Sequence, residues 1–147
     1  MSQALNLNTI LAQAGVKTDE ATGALTTPLH FSTTYQHPEF GQSTGYDYTR
    51  TKNPTRVSLE ETLAAIESAD YALATSSGMS AIVLAFSAFP VGSKVLAVRD
   101  LYGGSFRWFA QAEAEGRFVF TYANKEEELL NKLTEDIDIV YIETPTN

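Results

Sequence analysis

Thr75-Ser-Ser-Gly-Met-Ser80 stands between the apolar run Tyr71 to Ala74 and the apolar run Ala81 to Phe89. This order predicts a strand that ends in small hydroxyl residues around a glycine and passes directly into a helix. Such a turn aims unpaired N–H groups and the positive end of a helix dipole at one point, which suits a phosphate. The backbone N–H groups of Gly78 and Met79, with Ser77 beside them, are the candidate donors, because glycine lets a ligand come close to the chain. A tight strand-to-helix turn with no ligand has the same appearance, so the segments on either side carry the argument further.

Downstream the pattern alternates. Strands are expected over 71–75, 94–99, 117–122 and 137–143, with helices over 78–89, 104–115 and 125–133. Strands separated by helices of this length indicate βαβ crossovers: an α/β fold with a mainly parallel sheet and helices on both faces. Strand order does not follow from the pattern. Upstream, Asn53-Pro54 reads as an N-cap followed by proline at the first helical position, and Leu59, Leu63 and Ile66 then recur as one buried stripe. Residues 40–52 read as an irregular loop, and Leu25 to Tyr35 as extended chain. Asn8 is the expected cap of a short helix through Ala14, ended by Gly15. This extended N-terminal arm has little core of its own and would reach across to a neighbouring copy.

The totals exclude several functions. A net charge of −8, with the basic residues scattered, argues against nucleic acid as a partner. No apolar stretch reaches the roughly 18–20 residues that cross a bilayer, so no membrane role is expected. The absence of cysteine removes disulfides and thiolate ligands and agrees with a cytoplasmic location. His30 and His37 stand alone and Glu126 to Glu128 reads as a solvated helix face, so no metal site is expected. A dinucleotide-binding domain is disfavoured, since no G-x-G-x-x-G follows any strand.

Further segments fall in a recognisable order around the first: Gly45-Tyr-Asp-Tyr-Thr-Arg-Thr-Lys-Asn-Pro-Thr-Arg56, Asp100-Leu-Tyr-Gly-Gly104 and Tyr141-Ile-Glu-Thr-Pro-Thr-Asn147. Together, from about Thr18 to Asn147, they resemble the first part of the Cys/Met-metabolism enzymes, the pyridoxal 5'-phosphate (PLP) family of cystathionine synthases and lyases. The resemblance implies the large domain of the aminotransferase-like fold type I, with residues 1–56 as arm and inter-subunit loop and 57–147 as the front part of the PLP-binding domain. It also implies roles. Ser77, Gly78 and Met79 would hold the cofactor phosphate, and Tyr48 and Arg50 would reach the phosphate of a neighbouring subunit's cofactor. Tyr102 would stack on the pyridine ring and, with Tyr48, is a candidate catalytic phenol. Asn147 would hydrogen-bond the ring hydroxyl, and Glu143 shares its motif without a defined role. Spacing adds one point: Tyr48 and Arg50 are two apart in chain expected to be extended, so both side chains should point the same way.

The family's cofactor-binding lysine, the aspartate for the pyridine nitrogen and the arginine for the substrate carboxylate would lie beyond position 147. Lys17, Lys52, Lys94, Lys125 and Lys132 match none of these contexts, so the chain is expected to be the front of a longer protein and inactive by itself. The implied function is trans-sulfuration on a small amino-acid substrate, of the cystathionine γ-synthase or O-acylhomoserine thiol-lyase type, in a homo-oligomer of at least two copies and as a homotetramer. Cystathionine γ- or β-lyase is the alternative. A non-catalytic assembly fragment is the rival from another class.

Overall fold

A computed structural model describes residues 6–146. The chain forms two compact units, one up to Ala74 and the other from Thr75 onward.

In the first unit α1 covers Leu7–Ala12 and α2 covers Pro54–Ile66. The cap of α1 is Asn6, whose side chain accepts from the Asn8 N–H at 2.9 Å. Asn8, the expected cap, lies inside the first turn, because Asn6 already has the extended backbone that a cap requires. Asn53 and Pro54 begin α2 as expected, with the Asn53 side chain accepting from the N–H groups of Thr55 and Arg56. The expected buried stripe is only partly covered: Leu59 is 51% exposed and Leu63 39%, Ile66 is half-buried, and within α2 only Ala64 is buried. Periodicity identifies which face is apolar, but burial also needs something to pack on it. The arm between the two helices is tied by isolated bridges, Val16 to Thr26 and Thr34 to Tyr48, and leaves Leu29, Phe31 and Phe40 exposed.

The second unit begins with α3 (Gly78–Phe86) and continues as β1 (Ser93–Val98), α4 (Gly103–Ala114), β2 (Phe118–Ala123), α5 (Glu126–Lys132) and β3 (Ile139–Tyr141). The three strands are parallel in the order β2-β1-β3, with Val95 opposite both Phe120 and Ile139. The central strand is covered on both faces, so Val95, Leu96 and Ala97 are all fully buried. On one face Phe86 of α3 and Phe109 and Ala112 of α4 pack on Val95, Ala97, Phe118 and Phe120. On the other, Leu129 of α5 packs on Leu96 and Ala123. Residues 71–75, expected as a strand, join no ladder among the described residues, and Tyr71 and Leu73 are exposed. An apolar run has the right composition for a strand, but hydrogen-bonded pairing to a neighbour is what makes one. Among the described residues no helix is long and apolar enough to cross a membrane, and no cluster of three or more His, Cys, Asp or Glu could hold a metal.

Two lysines hold ion pairs at opposite edges of this sheet. Lys132 donates to Glu128 at 2.5 Å and to the Tyr122 carbonyl at 2.6 Å, while Glu128 also accepts from the backbone and side chain of Asn124. Lys94 pairs with Asp136 at 2.5 Å. Hydrogen bonds from Lys132 and then from Asn124 bring the Glu128 carboxyl from 4.5 to about 2, and those from Lys94 and Thr134 bring Asp136 from 3.8 to about 2. Because both values are depressed on folding, their stabilisation is full above the ordinary carboxylate range and is lost as the pH falls toward 2. The thermal midpoint is therefore expected to drop between about pH 4.5 and pH 2, and Lys132→Met should flatten that slope. An unaltered acid profile in Lys132→Met would show that the pair contributes nothing.

Candidate functional site

At the start of α3 the Ser77 side chain caps the helix, accepting from the Ser80 N–H at 3.1 Å. The Thr75 hydroxyl donates to the Ser77 carbonyl at 2.9 Å and fixes the turn. The amides of Gly78 and Met79 make no hydrogen bond among the described residues, so two donors and the positive end of a helix dipole face outward together. A Cβ on Gly78 would meet nothing within 4 Å. The protein's own packing does not demand glycine there, and its effect is to keep the space before the helix open.

Tyr102 is the N-cap of α4, reached directly from β1. A Cβ on Gly104 would lie 2.4 Å from the Tyr102 ring and 3.2 Å from the Met79 sulfur. Here glycine is required, since it lets the phenol ring lie against the helix start beside Met79. The Tyr102 side chain makes no cap hydrogen bond. Glu143, which follows β3, braces the residues at the α4 start: one oxygen accepts from the Tyr102 N–H at 2.6 Å, the other from the Ser105 hydroxyl at 2.7 Å and the Tyr141 hydroxyl at 2.6 Å. Burial pushes the Glu143 carboxyl up, but the hydrogen bonds from Tyr141, Ser105 and Tyr102 outweigh it and hold the group below its ordinary range. Burial, and then the bond to Glu143, raise the Tyr141 phenol, which stays protonated and donates.

In the first unit Tyr48 and Arg50 do come together, with the guanidinium 5.0 Å from the centre of the Tyr48 ring. The expected reason was wrong. Residues 48–51 form a turn, with the N–H groups of Thr51 and Lys52 donating to the Tyr48 carbonyl, and a cation–π contact replaces the shared face of an extended segment. Sequence reasoning missed what holds this turn. Arg56 donates to the carbonyls of Thr49, Arg50 and Thr51 and pairs with Glu60 at 3.4 Å, and the Asn53 amide donates to the Thr49 hydroxyl and the His30 carbonyl. The signal was present in Asn-Pro-Thr-Arg, which opens α2 with a cap and an arginine one turn from the loop.

Residues 8–147 match the family described as Cys/Met metabolism PLP-dependent enzyme. The chain belongs to that family. It is 42% identical to the cystathionine gamma-synthase/O-acetylhomoserine (thiol)-lyase of Bacillus subtilis (strain 168) over all of its own length and 39% of that protein's. It is equally similar to the cystathionine gamma-synthase of Haemophilus influenzae, at 42% over all of this chain and 41% of that one. The cystathionine gamma synthase of Xanthomonas oryzae pv. oryzae, solved in complex with aminoacrylate and cysteine, superposes with a TM-score of 0.89 at 36% identity, covering 99% of this chain and 38% of that one. The chain thus spans about two-fifths of the length of the relatives it matches.

The family is PLP-dependent, and the fold is part of its fold type I domain, with a parallel sheet flanked by helices. Four of the five lysines have contacts of their own. Lys94 and Lys132 hold the ion pairs above, Lys52 lies 5.3 Å from the Tyr46 ring centre, and Lys17 is 3.9 Å from Glu61. Asn147, expected at the ring hydroxyl, lies outside the described residues.

Proposed function

We propose that this chain is the N-terminal part of a PLP-dependent trans-sulfuration enzyme of the cystathionine γ-synthase or O-acylhomoserine thiol-lyase type. The observation that carries this reading is the group formed by the open amides of Gly78 and Met79 and the Tyr102 ring beside Met79, in a chain of this family. The residues present fit the cofactor. The α3 terminus would hold its phosphate, with Ser77 fixing the turn, and the Tyr102 face would lie on its ring. Bound PLP supplies an electron sink for a carbanion on an amino-acid substrate. The Tyr102 and Tyr48 phenols are the proposed proton carriers during bond breaking at the substrate side chain.

Two relatives at 42% identity are synthases, which favours synthase over lyase, although a cystathionine gamma-lyase of Bacillus subtilis follows at 38%. In this reading residues 1–56 are the arm and inter-subunit loop, and residues 57–147 are the front of the PLP-binding domain. Asn147, by its place in the family motif, would hydrogen-bond the ring hydroxyl. In the same reading the intact protein is a cytoplasmic homotetramer, and the 147-residue chain alone is inactive because none of its lysines stands in the family's Ser/Thr-flanked lysine context.

Tyr48 and Arg50, exposed on a turn that Arg56 braces, serve the phosphate of a second copy's cofactor. Arg50→Ala in the intact enzyme is therefore expected to weaken PLP by about tenfold, the loss of one charge-assisted bond, read by cofactor occupancy after dialysis. Mixing Arg50→Ala subunits with subunits blocked at Gly78 should restore a fraction of complete sites. Unchanged occupancy in Arg50→Ala would count against the assignment, and mixed oligomers without recovery would count against sharing between subunits.

A further inference from the structure

We propose that Glu143 is the positioning residue for the Tyr102 ring. This rests on the reading above, in which that ring carries the cofactor. Tyr102 is followed by Gly103 and Gly104, the most pliant pair of residues that could begin a helix. Gly104 is needed so that the ring can lie against α4, yet it leaves the turn without side-chain restraint. The Tyr102 side chain does not cap the helix, and no acidic residue stands in its first turn.

Glu143, just after β3, supplies the missing negative charge and a restraint on each side of the glycine pair. One oxygen takes the Tyr102 N–H and the other takes the hydroxyl of Ser105, so the carboxylate spans the glycine pair and fixes its two ends. Its charge sits at the positive end of the α4 dipole. Tyr141 in turn anchors Glu143: its hydroxyl donates to the carboxylate while its ring packs on Phe86 and Phe109 in the core. The backbone at Tyr102, and with it the point from which the ring projects, is thereby referenced to the sheet and not to a free loop.

The test measures two quantities in the intact enzyme: hydrogen exchange at the Tyr102 amide, and the PLP dissociation constant in the Tyr102 and Tyr102→Ala backgrounds. Glu143→Ala is expected to speed that exchange by at least about tenfold and to weaken PLP by about tenfold when Tyr102 is present. In the Tyr102→Ala background it should have no further effect on PLP. Glu143→Gln, which keeps an acceptor for the N–H and can donate to the rotatable hydroxyls, should recover most of both losses. Should Glu143→Ala fail to fold, Glu143→Asp, one methylene too short to reach both donors, should still speed the exchange. Unchanged exchange in either variant, or an equal loss of PLP affinity in both backgrounds, overturns the proposal. If Tyr102→Ala alone left PLP affinity intact, the role of the ring would fall, and with it the proposal's link to the cofactor. The amide exchange tells that failure apart from failure of the clamp.

Discussion

Phe109→Ala should cost the sheet unit about 3–5 kcal/mol, a large part of the roughly 5–15 kcal/mol that holds an ordinary domain together. Phe109 is fully buried and stands at the centre of an aromatic cluster. Its ring stacks on Phe120 at 4.6 Å, meets Tyr141 edge-on at 4.9 Å and touches Phe86 at 5.1 Å. Removing it loses the transfer energy of the ring and opens a cavity that a three-stranded sheet cannot collapse around without moving Val95 and Ala97. Urea melts followed by far-UV circular dichroism check this, and a midpoint equal to wild type would show that the core is organised elsewhere. Because Tyr141 joins this cluster to Glu143, partial unfolding should also release the Tyr102 amide.

Gly78→Val should act in the opposite sense. The position is helical and a Cβ there meets nothing, so folding stability should stay within about 1 kcal/mol of wild type. The added methyl groups fill the space before the α3 terminus, where a phosphate would take the amides of Gly78 and Met79. Loss of two charge-assisted hydrogen bonds, about 1.5 kcal/mol each at the least, corresponds to about a hundredfold weaker PLP binding. Equilibrium dialysis against PLP, beside a urea melt of the same sample, separates the outcomes. A stable variant with wild-type affinity would move the phosphate away from this turn.

Much of the site could be read along the chain because each of its parts is local. A cap, a glycine and a hydroxyl within a few residues define the α3 terminus, and Asn53-Pro54 defines the start of α2, whatever surrounds them. The errors fell where a second partner decides. Tyr71 to Thr75 has the composition of a strand but no ladder among the described residues, and the stripe of Leu59 and Leu63 has the period of a buried face without the cover. Tyr48 and Arg50 meet through a turn whose geometry is imposed by carbonyl contacts to Arg56, which spacing alone cannot express.

Local chemistry alone therefore determined the alternation of helices and strands, the family resemblance, and the residues around Gly78 and Tyr102. Only the tertiary structure decided that β1 lies between β2 and β3, because strand order depends on long-range pairing and not on any residue's own preference. That order makes the ends of β1 and β3 neighbours, and so brings Glu143 to the Tyr102 amide across a separation in sequence that no periodicity encodes.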